Sequence, residues 1–229
     1  MVEISTLRGK VVLVAGAGHP LGRVLALGFA RSGASLALHD LSPIHLDETA
    51  QQVQALGAEY RVYTGDVGKG LPSHALISDI LDDFGRLDVL VTSLHASPAA
   101  GMLDLDEWDW TRTLELNLSG PFLLAQAAAA VMKEQGGGTL IFTQAGTTDQ
   151  LLPALTASQA GLVGLARAAA LEFLPQRIHT FTIAAGDLRF WENAGMNSQT
   201  AKEIQDLAVR LCDPAAARLS GQVIFPGSH

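Results

Sequence analysis

The chain has 229 residues, 48% hydrophobic and 17% charged, with a net charge of −8 and one cysteine. That length suits one α/β domain spanning 1–229 with a substantial core, and the composition excludes a disordered chain. The acidic balance, without any Lys/Arg cluster, excludes a nucleic-acid footprint, and the lone Cys212 excludes a disulfide framework or a zinc set within one chain.

In chain order, short runs rich in Val, Leu and Ile alternate with longer segments of helical spacing. The strand-like runs are KVVLVAG, ASLALHD, EYRVYTG, LDVLVTS, GTLIFTQ, IHTFTIAAG and GQVIFPG. Between them lie LGRVLALGFARSG, LDETAQQVQALG, SHALISDILDDFG, NLSGPFLLAQAAAAVMKEQ, TASQAGLVGLARAAALEF and TAKEIQDLAVRLC. Strands apolar on both faces, alternating with helices, predict a parallel sheet covered on both sides. Gly33, Gly57 and Gly85 fit helix C-terminal caps. The expected fold is one doubly wound domain of about seven parallel strands with helices on both faces. The opening MVEISTLRGK lacks an apolar signal core, and the longest apolar stretches are interrupted before the ~18 residues that suggest a membrane span. A cytoplasmic protein with no membrane partner is expected, with Cys212 a buried small hydrophobe.

The turn after the first strand, VLVAGAGHPLGRV, crowds Gly16, Gly18 and Gly22 around Leu21. Glycine lets backbone approach a pyrophosphate, and the following helix N-terminus offers N–H groups to an anion. The second strand ends at Asp40, where a carboxylate accepts from both ribose hydroxyls and repels a 2′-phosphate, favouring NAD over NADP. The alternative is a tight turn and a strand-end Asp with no ligand. The acidic run Asp104, Asp106, Glu107 and Asp109 fits a helix N-terminus facing the macrodipole better than a metal site, and no metal is expected.

These segments, in this order, resemble the short-chain dehydrogenase/reductase family over nearly the whole chain. GKVVLVAGAGHPLG is similar to its first strand and Gly-rich turn, and Gly65-Asp66-Val67 to its adenine-holding segment. FGRLDVLV, LDEWDWTRTLELNLSGPFLLAQAA, GGGTLIF, ASQAGLVGLARAAALE and LSGQVIFPG resemble later elements of its Rossmann domain. The resemblance implies hydride transfer between a nicotinamide and a carbonyl or alcohol. It assigns cofactor binding to Gly16, Gly18, Leu21, Gly22, Asp40, Asp66 and Val67, and a catalytic role to the position of Asn117.

The resemblance also marks departures. The family's chemistry uses a Tyr, a Lys four residues on, and a Ser at the end of the fifth strand. Those positions fall on Leu155, Gln159 and Ala145, with Gln144 or Thr143 as alternatives for the Ser if the gap shifts. Leu155 has no proton to exchange and Gln159 has no charge with which to tune one. Asn117 alone is retained, so no catalytic residue of the usual kind is expected.

His95 stands where the family has a Gly near the cofactor. It is expected to fill that space, the alternative being an atypical NAD(H)-dependent oxidoreductase with relocated residues such as His95. His19 and His39 are expected as exposed loop residues near the cofactor mouth. Pro20 replaces a turn Gly and Ala185 a Pro, so NAD binding is expected to be weakened or lost.

The strand-to-helix loop before Leu155 is shorter than the family's, and so is the lid segment DLRFWENAGMNSQ. Phe190 and Trp191 are expected to plug the vacated cleft or to form a sticky surface. The helices around 110–134 and 155–174 carry small residues on more than one face. They are expected to form a homo- or hetero-oligomer, with an active family member as one candidate partner. A nucleotide-binding sensor or scaffold is a further alternative.

Overall fold

The computed structural model describes residues 6–146, 152–193 and 198–227. Seven parallel strands form one sheet in the order β3-β2-β1-β4-β5-β6-β7. They are β1 (Val11–Ala15), β2 (Ser35–Asp40), β3 (Tyr60–Thr64), β4 (Val89–Thr92), β5 (Gly138–Gly146), β6 (Ile178–Asp187) and β7 (Val223–Ile224). The doubly wound architecture with helices on both faces is thus as the alternating pattern predicts. Strand order reverses between β1 and β4, the place where such sheets open a crevice at their C-terminal edge.

Side-chain alternation along each strand feeds two cores. Val12 and Val14 of β1, Leu36 and Leu38 of β2 and Val91 of β4 pack on one face. There they meet Leu25 and Phe29 of α1 (Pro20–Arg31), Val53 of α2 (Leu46–Ala55) and Ile204 and Ala208 of α8 (Gln199–Arg210). Leu13, Leu90, Leu140 and Phe142 pack on the other face. Ile77 and Ile80 of α3 (Gly70–Phe84), Leu124 and Ala128 of α5 (Gly120–Glu134) and Leu162 and Ala166 of α6 (Pro153–Phe173) cover them. β3 departs from the two-faced pattern. It is an edge strand with no fully buried residue, and its Arg61 and Thr64 face solvent. The glycine caps occur as predicted: Gly85 ends α3 at φ 74, and Gly33 and Gly57 follow α1 and α2 at φ 87 and 74.

α4 (Glu107–Leu114) begins at Asp106, whose carboxylate accepts from the Asp109 N–H at 2.7 Å, so the acidic run caps a helix. A π-type turn over Glu115–Ser119 joins α4 to α5. The sequence shows this segment and α6 as broken apolar runs, but the helices they form correct that view. Glu107–Glu134 and Pro153–Gln176 each contain an 18-residue window of mean hydropathy 1.2, long and apolar enough by composition to cross a membrane. Both lie against the sheet with 44% of that window buried, so one face serves the core and the other is left uncovered. Cys212 is partly buried, its Sγ 3.4 Å from the Ala208 carbonyl oxygen, and burial pushes its thiol up to about 12. It is an inert packing residue.

α7 (Leu188–Asn193) is a short helix in the segment expected to be only a reduced lid. It docks Trp191 into the first core, where the side chain is 2% exposed.

Candidate functional site

The crevice starts at the β1–α1 turn. Gly16 has φ 87, and a Cβ there would overlap the Ser93 carbonyl oxygen. A Cβ on Gly22 would overlap the carbonyl oxygen of Gly16. Gly16 therefore serves close backbone packing between the turns after β1 and β4, and Gly22 lets the start of α1 pack on the β1–α1 turn itself. The turn's amides are largely spent inside the protein. Gly16 and Ala17 donate to the His39 carbonyl at 2.8 and 2.9 Å, and His19 donates to the Gly16 carbonyl at 3.2 Å. Gly18 donates to Asp40 Oδ2 at 2.9 Å, while Leu41 N–H donates to Asp40 Oδ1 at 2.7 Å. Pro20 at the first helical position has no N–H, and Leu21 and Gly22 behind it are buried.

Beside this turn lies a cleft of about 540 Å³. Its lining includes Gly18, His19, Arg23, Asp40, Ile44 and Glu192. Arg23 bridges its wall, with Nη1 on Glu48 at 2.6 Å and Nε on Thr49 Oγ1 at 3.1 Å. Thr49 in turn donates to the Ala17 carbonyl at 2.8 Å. The sequence motifs did not single out Arg23, Ile44, Glu48, Thr49 or Glu192 as site residues. Their signal is only the helical spacing that turns α2 toward the first turn.

Asp66 and Val67 follow β3. Asp66 accepts from Gly68 N–H at 3.0 Å and from Arg112 Nη1 at 2.9 Å. Burial opposes its charge, but these donors hold its carboxyl below the usual range. Val67 is 2% exposed and belongs to the second core.

At the far end of the crevice the described residues are mostly buried and apolar. Ala145, at the end of β5 beyond a register shift against β6, is 1% exposed. Leu155 on α6 is 3% exposed, and both join the core that contains Leu152, Ala185 and Trp191. The Trp191 indole N–H donates to the Ala185 carbonyl at 2.7 Å. Of the two aromatics expected to plug the cleft or form a sticky surface, Trp191 is sealed in the core and Phe190 is 40% exposed.

Gln159, one helical turn beyond Leu155, is buried, with its Oε1 unpartnered. Asn117, within the π-type turn, is also buried. Its Oδ1 accepts from Ala96 N–H at 2.6 Å, and its Nδ2 donates to the Ala96 carbonyl at 2.8 Å and to Ser158 Oγ at 3.3 Å. Its hydrogen-bonding groups tie the loop after β4 to α6. The shorter loop ahead of Leu155 lies largely outside the described residues.

His95 Nε2 lies 3.1 Å from Thr143 Oγ1, and its Nδ1 is buried without a partner. Burial, reinforced by nearby His19, pushes its imidazole down to about 3, so it is neutral at physiological pH. The His19 and His95 rings meet edge to face, with centroids 5.6 Å apart. Two expectations are corrected here. His39 is not an exposed loop residue: it is 1% exposed within β2, with Nε2 3.0 Å from the Gly65 carbonyl oxygen. His19 is half-buried with its Nδ1 shut from solvent. Burial lowers the pKa of both, because the sheet edge and the closed crevice end take the place of solvent.

The described residues contain no cluster of three or more potential metal ligands. A dinucleotide fits only in part. Asp40 and the Gly-rich turn suit a ribose, whereas the buried Trp191 and Leu155 and the imidazole of His95 stand where the resemblance puts the nicotinamide.

A family model for short chain dehydrogenases matches residues 10–205. The chain belongs to the short chain dehydrogenase family. It is 32% identical over 182 residues to an oxidoreductase of Thermotoga maritima, covering 78% of this chain and 72% of that protein. It is 26% identical to the BbsD subunit of (2S)-[(R)-hydroxy(phenyl)methyl]succinyl-CoA dehydrogenase of Thauera aromatica, covering 96% and 95%. Among solved structures, a short-chain type dehydrogenase/reductase of Mycobacterium marinum superimposes with a TM-score of 0.85 at 26% identity, covering 97% and 95%. NAD+-bound xylitol dehydrogenase superimposes with a TM-score of 0.85 at 25% identity, covering 96% of this chain and 98% of that one.

Proposed function

We propose that this family member is catalytically silent. We further propose that it acts as a non-catalytic subunit of an oligomer with a related active dehydrogenase or reductase. The observation that carries the reading is the buried Trp191, packed in one core with Leu155 and Ala145 and hydrogen-bonded to the Ala185 carbonyl. On the family resemblance those residues occupy the reacting end of the crevice. General acid–base catalysis needs a group that can exchange a proton at the operating pH. Leu155 and Ala145 carry none, Gln159 is uncharged, and Asn117 is committed to structure. Asp40 favours NAD over NADP, with dinucleotide binding weakened or lost.

The subunit role draws on the uncovered faces of α5 and α6. A groove of about 470 Å³ runs between them, lined by Phe122, Ala125, Ala129, Leu165, Ala169 and Phe173 among others. Phe122 and Leu171 are 44% and 79% exposed. The Thauera relative is itself a dehydrogenase subunit.

The contact between His95 and Thr143 favours a second reading, atypical reduction through His95. The depressed imidazole pKa weighs against it, because near neutrality the ring is not in the imidazolium form that would act as general acid.

The test is to assay the chain alone with NADH and a broad carbonyl panel, then after co-expression with an intact family member. Silence alone, and co-purification that Phe122→Glu disrupts, are expected. Turnover that His95→Ala abolishes would overturn the silent reading. Failure to associate with any intact family member would overturn the subunit reading.

A further inference from the structure

The open end of the crevice retains what reads a ribose and keeps little that holds a phosphate. Each Asp40 carboxylate oxygen accepts one backbone N–H, from Gly18 or Leu41, which leaves acceptor capacity for the two hydroxyls of a ribose. Ile44, 77% exposed, gives the cleft an apolar flank. Most of what an anion would need has been spent or removed, leaving the Leu21 and Gly22 N–H groups in the buried first turn of α1. The amides of Gly16, Ala17, Gly18 and His19 all donate within the protein. Pro20 has no N–H to offer.

Arg23 supplies the one guanidinium or ammonium among the described lining residues. It is paired with Glu48 through Nη1, and its Nε and Nη2 each donate to a further partner, Thr49 Oγ1 and the His45 carbonyl. Burial keeps His19 from contributing a positive charge, although Glu192 and Asp40 partly oppose that effect. Asp40 and Glu192 have no Lys or Arg ion-pair partner among the described residues, so a phosphate would meet two carboxylates. We infer that this cleft takes an uncharged ribonucleoside, its ribose hydroxyls on Asp40, in preference to a nucleoside phosphate or a dinucleotide. The inference rests on the reading that the far end of the crevice is closed.

The test is calorimetric titration of the full chain with adenosine, guanosine, cytidine and uridine. It is repeated with the 5′-monophosphate of the tightest binder, its 2′-deoxy form and NADH. At least one ribonucleoside should bind at least tenfold more tightly than its monophosphate and than NADH. Loss of the 2′-hydroxyl should weaken binding by about tenfold, the scale of a hydrogen bond to a charged group. Glu192→Gln, at an exposed position that leaves the core untouched, should narrow the gap between nucleoside and monophosphate.

If no ribonucleoside binds, or if the monophosphate or NADH binds as tightly, the inference is overturned while the silent-subunit reading stands. Turnover of NADH by the isolated chain would overturn the silent reading itself.

Discussion

The two ends of the crevice were built from the same fold but hold opposite contents. Around Asp40 the walls are polar, partly solvated and cross-braced by Arg23, Glu48 and Thr49. Around Trp191 the walls are apolar, and Leu155 and Ala145 have become part of the hydrophobic core. The contrast teaches that one sheet edge can carry a polar wall at one end and continuous apolar core at the other. Burying apolar side chains there stabilises the fold by roughly 1.5–3 kcal/mol per large side chain. The Gly-rich turn has a separate packing role, since Gly16 lets the backbones after β1 and β4 touch and Gly22 lets α1 start against that turn.

The contrast can be broken most severely at the apolar end. Trp191→Ala removes a buried indole and leaves the Ala185 carbonyl without its donor. It should cost about 3–5 kcal/mol, read as a lower urea midpoint. Leu155→Tyr, which restores the family's residue type, should overpack a closed site. The expected loss is about 1–3 kcal/mol with no gain of turnover; a stable and active variant would show that the end is open.

Acid should also find the apolar end. His95 is neutral when folded and regains its ordinary pKa near ~6.5 when unfolded, so between that value and about 3 the unfolded chain binds more protons. Stability should therefore be full above pH 6.5 and fall as the pH drops, by at most about 1.4 kcal/mol per pH unit from this group. His19 and His39, lowered by burial, act in the same direction. His95→Gln should flatten the decline, as measured by denaturant midpoints across pH. The smallest effect belongs to the open end. Glu48→Gln removes a partner that is half-exposed and should change stability by less than about 1 kcal/mol. It should also strengthen monophosphate binding by freeing Arg23.

Much of the fold was legible before any coordinates. Each predicted run became a strand, the central ones because their two faces meet different helices and β3 as a largely exposed edge, and glycines ended helices where left-handed backbone is needed. Pattern alone could not show where α7 would go. Six residues carry too little periodicity to announce a helix, and burial of Trp191 depends on a cavity that exists only once β6 and α1 are in place. The histidines were misread for a related reason. His39 belongs to β2, so its ring points into the layer above the sheet, and only tertiary packing decides whether that layer is wet. Asn117, Leu155 and Gln159 were legible as types, whereas the hydrogen bonds that commit Asn117 to Ala96 and Ser158 were not.

The position of Trp191 gives the protein an optical reporter. Of its three indoles, Trp108 is 70% exposed and Trp110 37% exposed, while Trp191 is sealed at 2%. Emission at the short-wavelength edge should come from Trp191, and the iodide-quenchable component largely from Trp108. In a Trp108→Phe, Trp110→Phe background, undocking of α7 would register as a red shift of a single fluorophore. The indole held on the Ala185 carbonyl would then report, in real time, each occasion on which it leaves the core.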